Sequence, residues 1–204
     1  MKKYILLFCI FLSAFPIVRA QQKRVIKETF ESNKMQWDEF YERSCSAGVG
    51  DGKLVIKSED RDTLIRSVAD FPIEVDRDFC LKFDLSIKKI NSSDWFGIMF
   101  NYEDENNYNC FLVKEKQFKV VNKVNGKKSI SRQGGAILKP SKKDQKINIV
   151  MERKSGKLIF SVNNIEVISF KKRLETSTFG CCVSGENELN VEEVIIEQLE
   201  GDSN

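Results

Sequence analysis

The chain is poorly stocked with the side chains that usually do chemistry. Its 204 residues include no histidine, which removes Ser-His-Asp and Cys-His catalytic pairs and every histidine-containing metal site. Acid–base work would therefore fall to carboxylates, lysines or tyrosines, and no cluster of these stands out. Two acidic strings, Glu59-Asp60-Arg61-Asp62 and Glu103-Asp104-Glu105-Asn106-Asn107, offer oxygen ligands of the kind calcium takes. Neither carries a D-x-D-x-D-G loop, and polar hairpin tips explain both equally well. No metal is assigned to them, a structural calcium is left open, and no other cofactor is expected.

The more telling pattern is an alternation. Phe96, Ile98 and Phe100 alternate with Trp95, Gly97, Met99 and Asn101. Phe79, Leu81, Phe83, Leu85 and Ile87 alternate with Cys80, Lys82 and Asp84, and Tyr108, Cys110 and Leu112 follow the same rule. If the first members face a core, the second members share the opposite face, which is too apolar for a plain solvated surface. Trp95 and Tyr108 then offer flat platforms for sugar rings, with Asn101, Asp84 and Lys82 as polar contacts. The competing reading is a loop laid over this face, making it secondary core. Trp37, after the first strand, is expected in the main core.

Five cysteines follow residue 20: Cys45, Cys80, Cys110, Cys181 and Cys182. Their spacing contains no C-x-x-C, so zinc and thioredoxin-type chemistry lack support. Buried small side chains explain them, with at least one thiol free and a disulfide among Cys80, Cys110 and Cys182 geometrically open.

Residues 1–20 read as a cleavable export signal. Lys2 and Lys3 precede an apolar run from Tyr4 to Val18, and Val18-Arg19-Ala20 leads into Gln21-Gln22. The run is too short to span a bilayer, and no second one follows, so a periplasmic or extracellular location without a transmembrane segment is expected. The signal also carries three basic residues and no acid. Removing it from a chain with 33 basic and 30 acidic residues leaves a net charge of zero, and nothing in it points to nucleic acid. Charge is nonetheless uneven. Residues 114–157 hold 14 Lys and Arg against Glu115, Asp144 and Glu152, whereas residues 186–202 hold seven acids and no base. The first block reads either as a patch for an anionic polysaccharide or as outward lysines guarding strand edges.

The elements that must position these residues are strands. Asp51-Gly52 and Asn125-Gly126 are hairpin turns, with Ser155-Gly156 and Asn163-Asn164 as weaker versions. Between them the period is two, as in Phe111 and Val113, Ile147 and Ile149, and Leu158, Phe160 and Val162. Roughly a dozen short strands result, the pattern of an all-β, two-sheet antiparallel sandwich. A single helical turn within residues 32–43, capped by Ser32, is the only helix expected. Pro72 and Pro140 fall in connections. One domain over residues 27–199 is expected, with frayed ends at 21–26 and 200–204.

The order of motifs resembles the concanavalin A-like lectin/glucanase superfamily, including secreted bacterial laminin G-like and keto-disaccharide-hydrolase-like jelly rolls. The resemblance is carried by T-F-E-S-N-K-M-Q-W (Thr29 to Trp37), D-G-K-L-V-I (Asp51 to Ile56), D-F-C-L-K-F-D-L-S (Asp78 to Ser86) and W-F-G-I-M-F-N-Y (Trp95 to Tyr102). It continues through E-N-N-Y-N-C-F-L-V, I-N-I-V-M-E-R, K-L-I-F-S-V-N-N, T-F-G-C-C-V-S-G and L-N-V-E-E-V-I-I, ending at Ile196. It implies a jelly roll with its first and last strands close together, and carbohydrate binding as a family tendency. Glucanases of the superfamily carry E-x-D-x-x-E on one strand. The nearest string here, Glu74-Val75-Asp76-Arg77-Asp78-Phe79, puts Phe79 where the third carboxylate belongs. No catalytic residues are therefore assigned. The expectation is a binding module, most simply for a carbohydrate. The alternatives are a glycoside-processing hydrolase with a non-standard carboxylate site and a protein-interaction domain.

Overall fold

The computed structural model describes residues 23–199 except 62, 91, 136–137 and 139–143. The expected signal at 1–20, the tail at 200–204, Asp62 and Pro140 lie outside the described residues. Within them the chain forms fifteen strands: β1 (Lys23–Glu28), β2 (Phe40–Tyr41), β3 (Cys45–Gly50), β4 (Lys53–Ser58), β5 (Leu64–Asp70), β6 (Phe79–Ile87), β7 (Phe96–Asp104), β8 (Asn107–Lys114), β9 (Gln117–Val124), β10 (Lys127–Gly135), β11 (Gln145–Lys154), β12 (Lys157–Val162), β13 (Ile165–Lys171), β14 (Thr178–Ser184) and β15 (Asn187–Leu199). Every pairing is antiparallel. No helix occurs among the described residues, and none therefore is long and apolar enough to cross a membrane.

Four two-residue turns set the hairpin registers. Asp51 and Gly52, Asn125 and Gly126, Ser155 and Gly156, and Asn163 and Asn164 all have positive φ at both positions. That backbone twist matches the twist of the flanking strands, which is why asparagine, aspartate and glycine occupy these places. The expected helical turn does not form. Lys34 and Met35 make a tight turn instead, and Asn33, not Ser32, organises it. Its Oδ1 accepts from the Trp37 N–H at 2.7 Å and its Nδ2 donates to the Trp37 carbonyl at 2.9 Å.

One sheet has nine strands, ordered β13-β12-β11-β6-β15-β4-β3-β2, with β1 also on β15; the other has six, ordered β10-β9-β8-β7-β14-β5. The thirteen-residue β15 pairs with β6 along one side. On the other side its first half meets β4 and its second half meets β1. The register of β1 against β15 starts at Lys23 with Leu199, so residues 23–26, expected to fray, are a paired strand. A register shift between Val191 and Glu193 lets Leu189, Val191, Val194 and Ile196 all face inward despite their uneven spacing.

The core between the sheets is built from the alternating residues. Phe79, Leu81, Phe83, Leu85 and Ile87 of β6 join Ile147, Ile149 and Met151 of β11 and Leu158, Phe160 and Val162 of β12. From the six-stranded sheet come Phe96, Ile98, Phe100, Phe111, Val113, Phe179, Cys181 and Val183. Aromatic contacts bridge the two: Phe160 lies 4.7 Å from Phe111 and 5.3 Å from Phe100, centroid to centroid. Trp37 fills one end of this core against Phe30 and Phe71.

Candidate functional site

With the core faces fixed, each sheet presents one outward face, and the two point away from each other. This separates the expected site residues. Lys82 and Asp84 lie on β6, outward from the nine-stranded sheet, whereas Trp95 immediately precedes β7 of the six-stranded sheet. Alternation fixes which side of a strand a residue takes but not which sheet the strand joins, so the expected shared face breaks here. Lys82 is engaged by Glu197 at 2.8 Å, and Asp84 accepts from Asn148 Nδ2 at 2.7 Å. Cys80 shares that remote face, which removes it from any disulfide with Cys110 or Cys182. Burial pushes its thiol up to about 11, with Glu152 adding to the shift. All five described cysteines are free thiols.

The outward face of the six-stranded sheet holds the remaining candidates. Val68, Met99, Tyr108, Cys110, Leu112, Val121 and Cys182 form a second apolar cluster there, with Leu64, Trp95 and Tyr102 packed at its margin. They meet because β5, β14, β7, β8 and β9 are neighbours: Cys110 pairs with both Met99 and Val121, and Gly180 with both Met99 and Val68. Gly97 is required by close approach. A Cβ there would lie 2.0 Å from the Phe111 carbonyl oxygen.

This layer is buried by side chains of its own sheet. Tyr108 is 7% exposed, so it is a floor, not an open platform. Burial holds its hydroxyl up to about 12, with Cys110 and Cys182 adding to the shift. Tyr102 stacks on it at 6.3 Å, and the Lys123 ammonium sits 5.4 Å from its ring. The Arg66 guanidinium donates to the Tyr102 hydroxyl at 2.9 Å and to Glu105 at 2.9 Å. Asn101 has a different task from the one expected. It is 7% exposed with φ +52°, and its Oδ1 accepts from the backbone N–H groups of Glu175 and Thr176, pinning the segment that leads into β14. The register shift that follows it between Phe100 and Asp104 turns Tyr102 outward, where strict alternation from Phe100 would bury it.

Trp95 is half-buried and remains the aromatic of this face best placed to meet a ligand. Lys119 Nζ lies 3.9 Å and Lys114 Nζ 4.5 Å from its ring centroid. Lys119 is on β9, two strands from Trp95, so the contact spans β8. Beside it is a pocket of about 510 Å3 lined by Trp95, Lys116, Lys119, Gln133 and Gly134 over Phe118. Lys114 and Lys119 were legible in principle: the two-residue turn at Glu115 and Lys116 places them on the face of Tyr108 and Leu112. Arg66 carried no such signal, because its strand reaches the site only through β14.

The acidic strings do not converge. Asp104 accepts from the Asn106 N–H and from Asn107 Nδ2, which draws its carboxyl below the ordinary range. Asp60 accepts from Thr63, and Glu59 pairs with Lys57. Glu74 pairs with Arg77, while Phe79 is core. Among the described residues no three carboxylates or cysteines are grouped to hold a metal ion.

No family model matches the chain, and no curated protein matches it. Solved structures do. The carbohydrate-binding module CBM66 from Bacillus subtilis aligns with a TM-score of 0.51 at 16% identity, over 80% of this chain and 92% of its own. The carbohydrate recognition domain of Emp47p aligns at 0.60 and 11% identity, over 86% and 95%. A β-glucanase from Bacillus licheniformis aligns at 0.58 and 8% identity, over 87% and 98%. The fold is the two-sheet antiparallel jelly roll that the motif order implied.

Proposed function

We propose that the protein is an exported, non-catalytic carbohydrate-binding module whose site is the outward face of the six-stranded sheet around Trp95. The observation that carries this reading is the half-buried Trp95 beside the pocket of about 510 Å3. An indole at the mouth of a cleft offers a flat apolar face to a sugar ring, and the Gln117 and Gln133 amides lining the same cleft offer donors and acceptors to its hydroxyls. Solved structures of this fold described as a carbohydrate-binding module and a carbohydrate recognition domain support the class of ligand. Export rests on the Lys2-Lys3, apolar-run and Val18-Arg19-Ala20 pattern of the sequence.

The test is a glycan array beside a panel of chromogenic glycosides. Binding without turnover is expected; turnover would replace the module by a hydrolase. A second reading has an observation of its own. The edge strand β10 is exposed along its length, with Ile130 at 55%, which suits a protein partner. Pull-down of a partner that Ile130→Asp abolishes, with no glycan bound, would favour that reading.

A further inference from the structure

The two outward faces treat their charges differently. On the nine-stranded sheet the lysines beside β15 are matched: Lys23 and Lys82 share Glu197, Lys27 pairs with Glu193, and Lys146 with Glu192. The acid-rich β15 is thus neutralised by its neighbours. On the six-stranded sheet Arg66 has Glu105. Lys114, Lys119 and Lys123 have, among the described residues, no carboxylate within ion-pair distance. Lys114 donates to the Ser92 carbonyl and Lys123 to the Glu105 carbonyl, and the ammonium groups otherwise lie against Trp95 and Tyr108.

Lys114 and Lys119 crowd one ring. Both nitrogens are within 4.5 Å of the Trp95 centroid, hence within twice that distance of each other. Like charges held this close repel, and a partly desolvated ammonium is less well served by water. The Lys119 ammonium is accordingly held below its ordinary range, by burial first and then by Lys114 and Lys128. Lys116 stands at the same pocket. An anionic group bound here would relieve the repulsion, and it would draw the ammonium groups off the indole, freeing the ring for stacking.

We propose, building on the carbohydrate-binding reading, that the ligand is an anionic glycan, its carboxylate or sulfate groups paired with Lys114 and Lys119 and a sugar ring on Trp95. Charge complementarity selects this occupant. A neutral glycan would leave the lysines crowded and would have to displace them from the ring without compensation. The cleft between Trp95 and Gln133 gives the adjoining sugar its hydroxyl partners.

The experiment is calorimetric titration of the full chain with three probes: an oligogalacturonate (carboxylate), a sulfated heparin-derived oligosaccharide (sulfate) and a neutral laminari-oligosaccharide. Each is measured at low and physiological salt. One or both anionic probes should bind, more weakly as salt rises, and the neutral probe should not. Lys119→Gln and Lys114→Gln should each weaken binding about tenfold, the loss of one charge-assisted contact, while melting within a few degrees of the parent, since each also gives up one cation–π contact. The carboxylate and sulfate arms show which anion the site takes. Neutral-probe binding that is insensitive to salt and to both lysine substitutions overturns this inference and leaves the module intact. Anionic binding that survives the double substitution also overturns it. No binding of any glycan overturns the module reading itself, and this inference with it.

Discussion

Replacing Trp37 by alanine and by phenylalanine separates two contributions of one residue. Trp37 is 2% exposed and packs at 5.5 Å from Phe30 and 5.8 Å from Phe71, at the edge of the aromatic core. Truncating a buried tryptophan to alanine typically costs about 3–5 kcal/mol. Here the indole N–H is buried without a hydrogen-bond partner among the described residues, and such an orphaned donor weakens the folded state by about 1–3 kcal/mol. Trp37→Ala removes the packing but also relieves that penalty, so its cost should sit at the low end of the range, about 3 kcal/mol. For a chain of this size that is a drop of about 6–12 °C in melting temperature. Trp37→Phe keeps much of the apolar volume and sheds the unpaired donor, so about 1 kcal/mol or less is expected. Trp95→Ala gives the contrast. It loses two cation–π contacts, each about 0.5–1 kcal/mol, and relieves nothing in the main core, so about 1–2 kcal/mol is expected. Thermal and urea melts of the three variants decide the matter. If Trp37→Phe costs as much as Trp37→Ala, the N–H is satisfied and the accounting fails. If Trp95→Ala melts as low as Trp37→Ala, the outward layer is core and Trp95 is no ligand platform.

Gly97→Ala should cost at least about 3 kcal/mol, the upper range for overpacking, because its Cβ would meet the backbone of β8 and not a side chain that can swing away; a melt close to wild type would refute the strand spacing. Thiol titration should find Cys45, Cys80, Cys110, Cys181 and Cys182 all reactive in denaturant, with the buried Cys110, Cys181 and Cys182 inert in native buffer. Stability should fall as pH rises from about 9 toward about 11: Cys80 keeps its proton to about 11 when folded but releases it near 9 when unfolded, so its contribution is present below 9 and lost above. Cys80→Ala should lessen the slope of that alkaline limb, to which the buried Cys110 and Cys181 thiols also contribute, and an unchanged slope would remove Cys80 as a cause. At the acid end, Lys23 and Lys82 draw the Glu197 carboxyl below its ordinary 4.5, so its contribution is present above 4.5 and lost as pH falls through the lowered value; Glu197→Gln should lessen the acid sensitivity of the melt.

Local rules carried the sequence reading as far as they reach. Turn chemistry identified the four positive-φ hairpins, and the inward residues of β6, β11 and β12 followed from period two because both sheets bury one face. Trp37, Trp95, Met99, Cys110 and Leu112 were assigned to the faces they occupy. The failures share one cause, which is that strand neighbours are set by chain topology. Lys82 and Asp84 obey the alternation but belong to the other sheet, and Arg66 arrives beside Tyr102 from 36 residues away. Asn101 failed for a local reason: its left-handed backbone at a bulge makes it a loop anchor, and the same bulge turns Tyr102 outward. Lys23–Glu28 carries too little alternation to announce itself, and it is ordered by its partner.

The position of β15 also dictates when the protein can come into being. It lies between β6 on one side and β4 and β1 on the other, yet it is synthesised after every strand it joins. While a ribosome is still making residues 187–199, β6 has no neighbour along one entire edge, and β1, β3 and β4 have nothing to attach them to β6 and β11. A nascent chain can therefore form its hairpins but not close its larger sheet, and pairings this distant are slow to form once the chain is free. Closure of the larger sheet waits for β15, so a growing chain holds hairpins without a closed sandwich until residues 187–199 have been made.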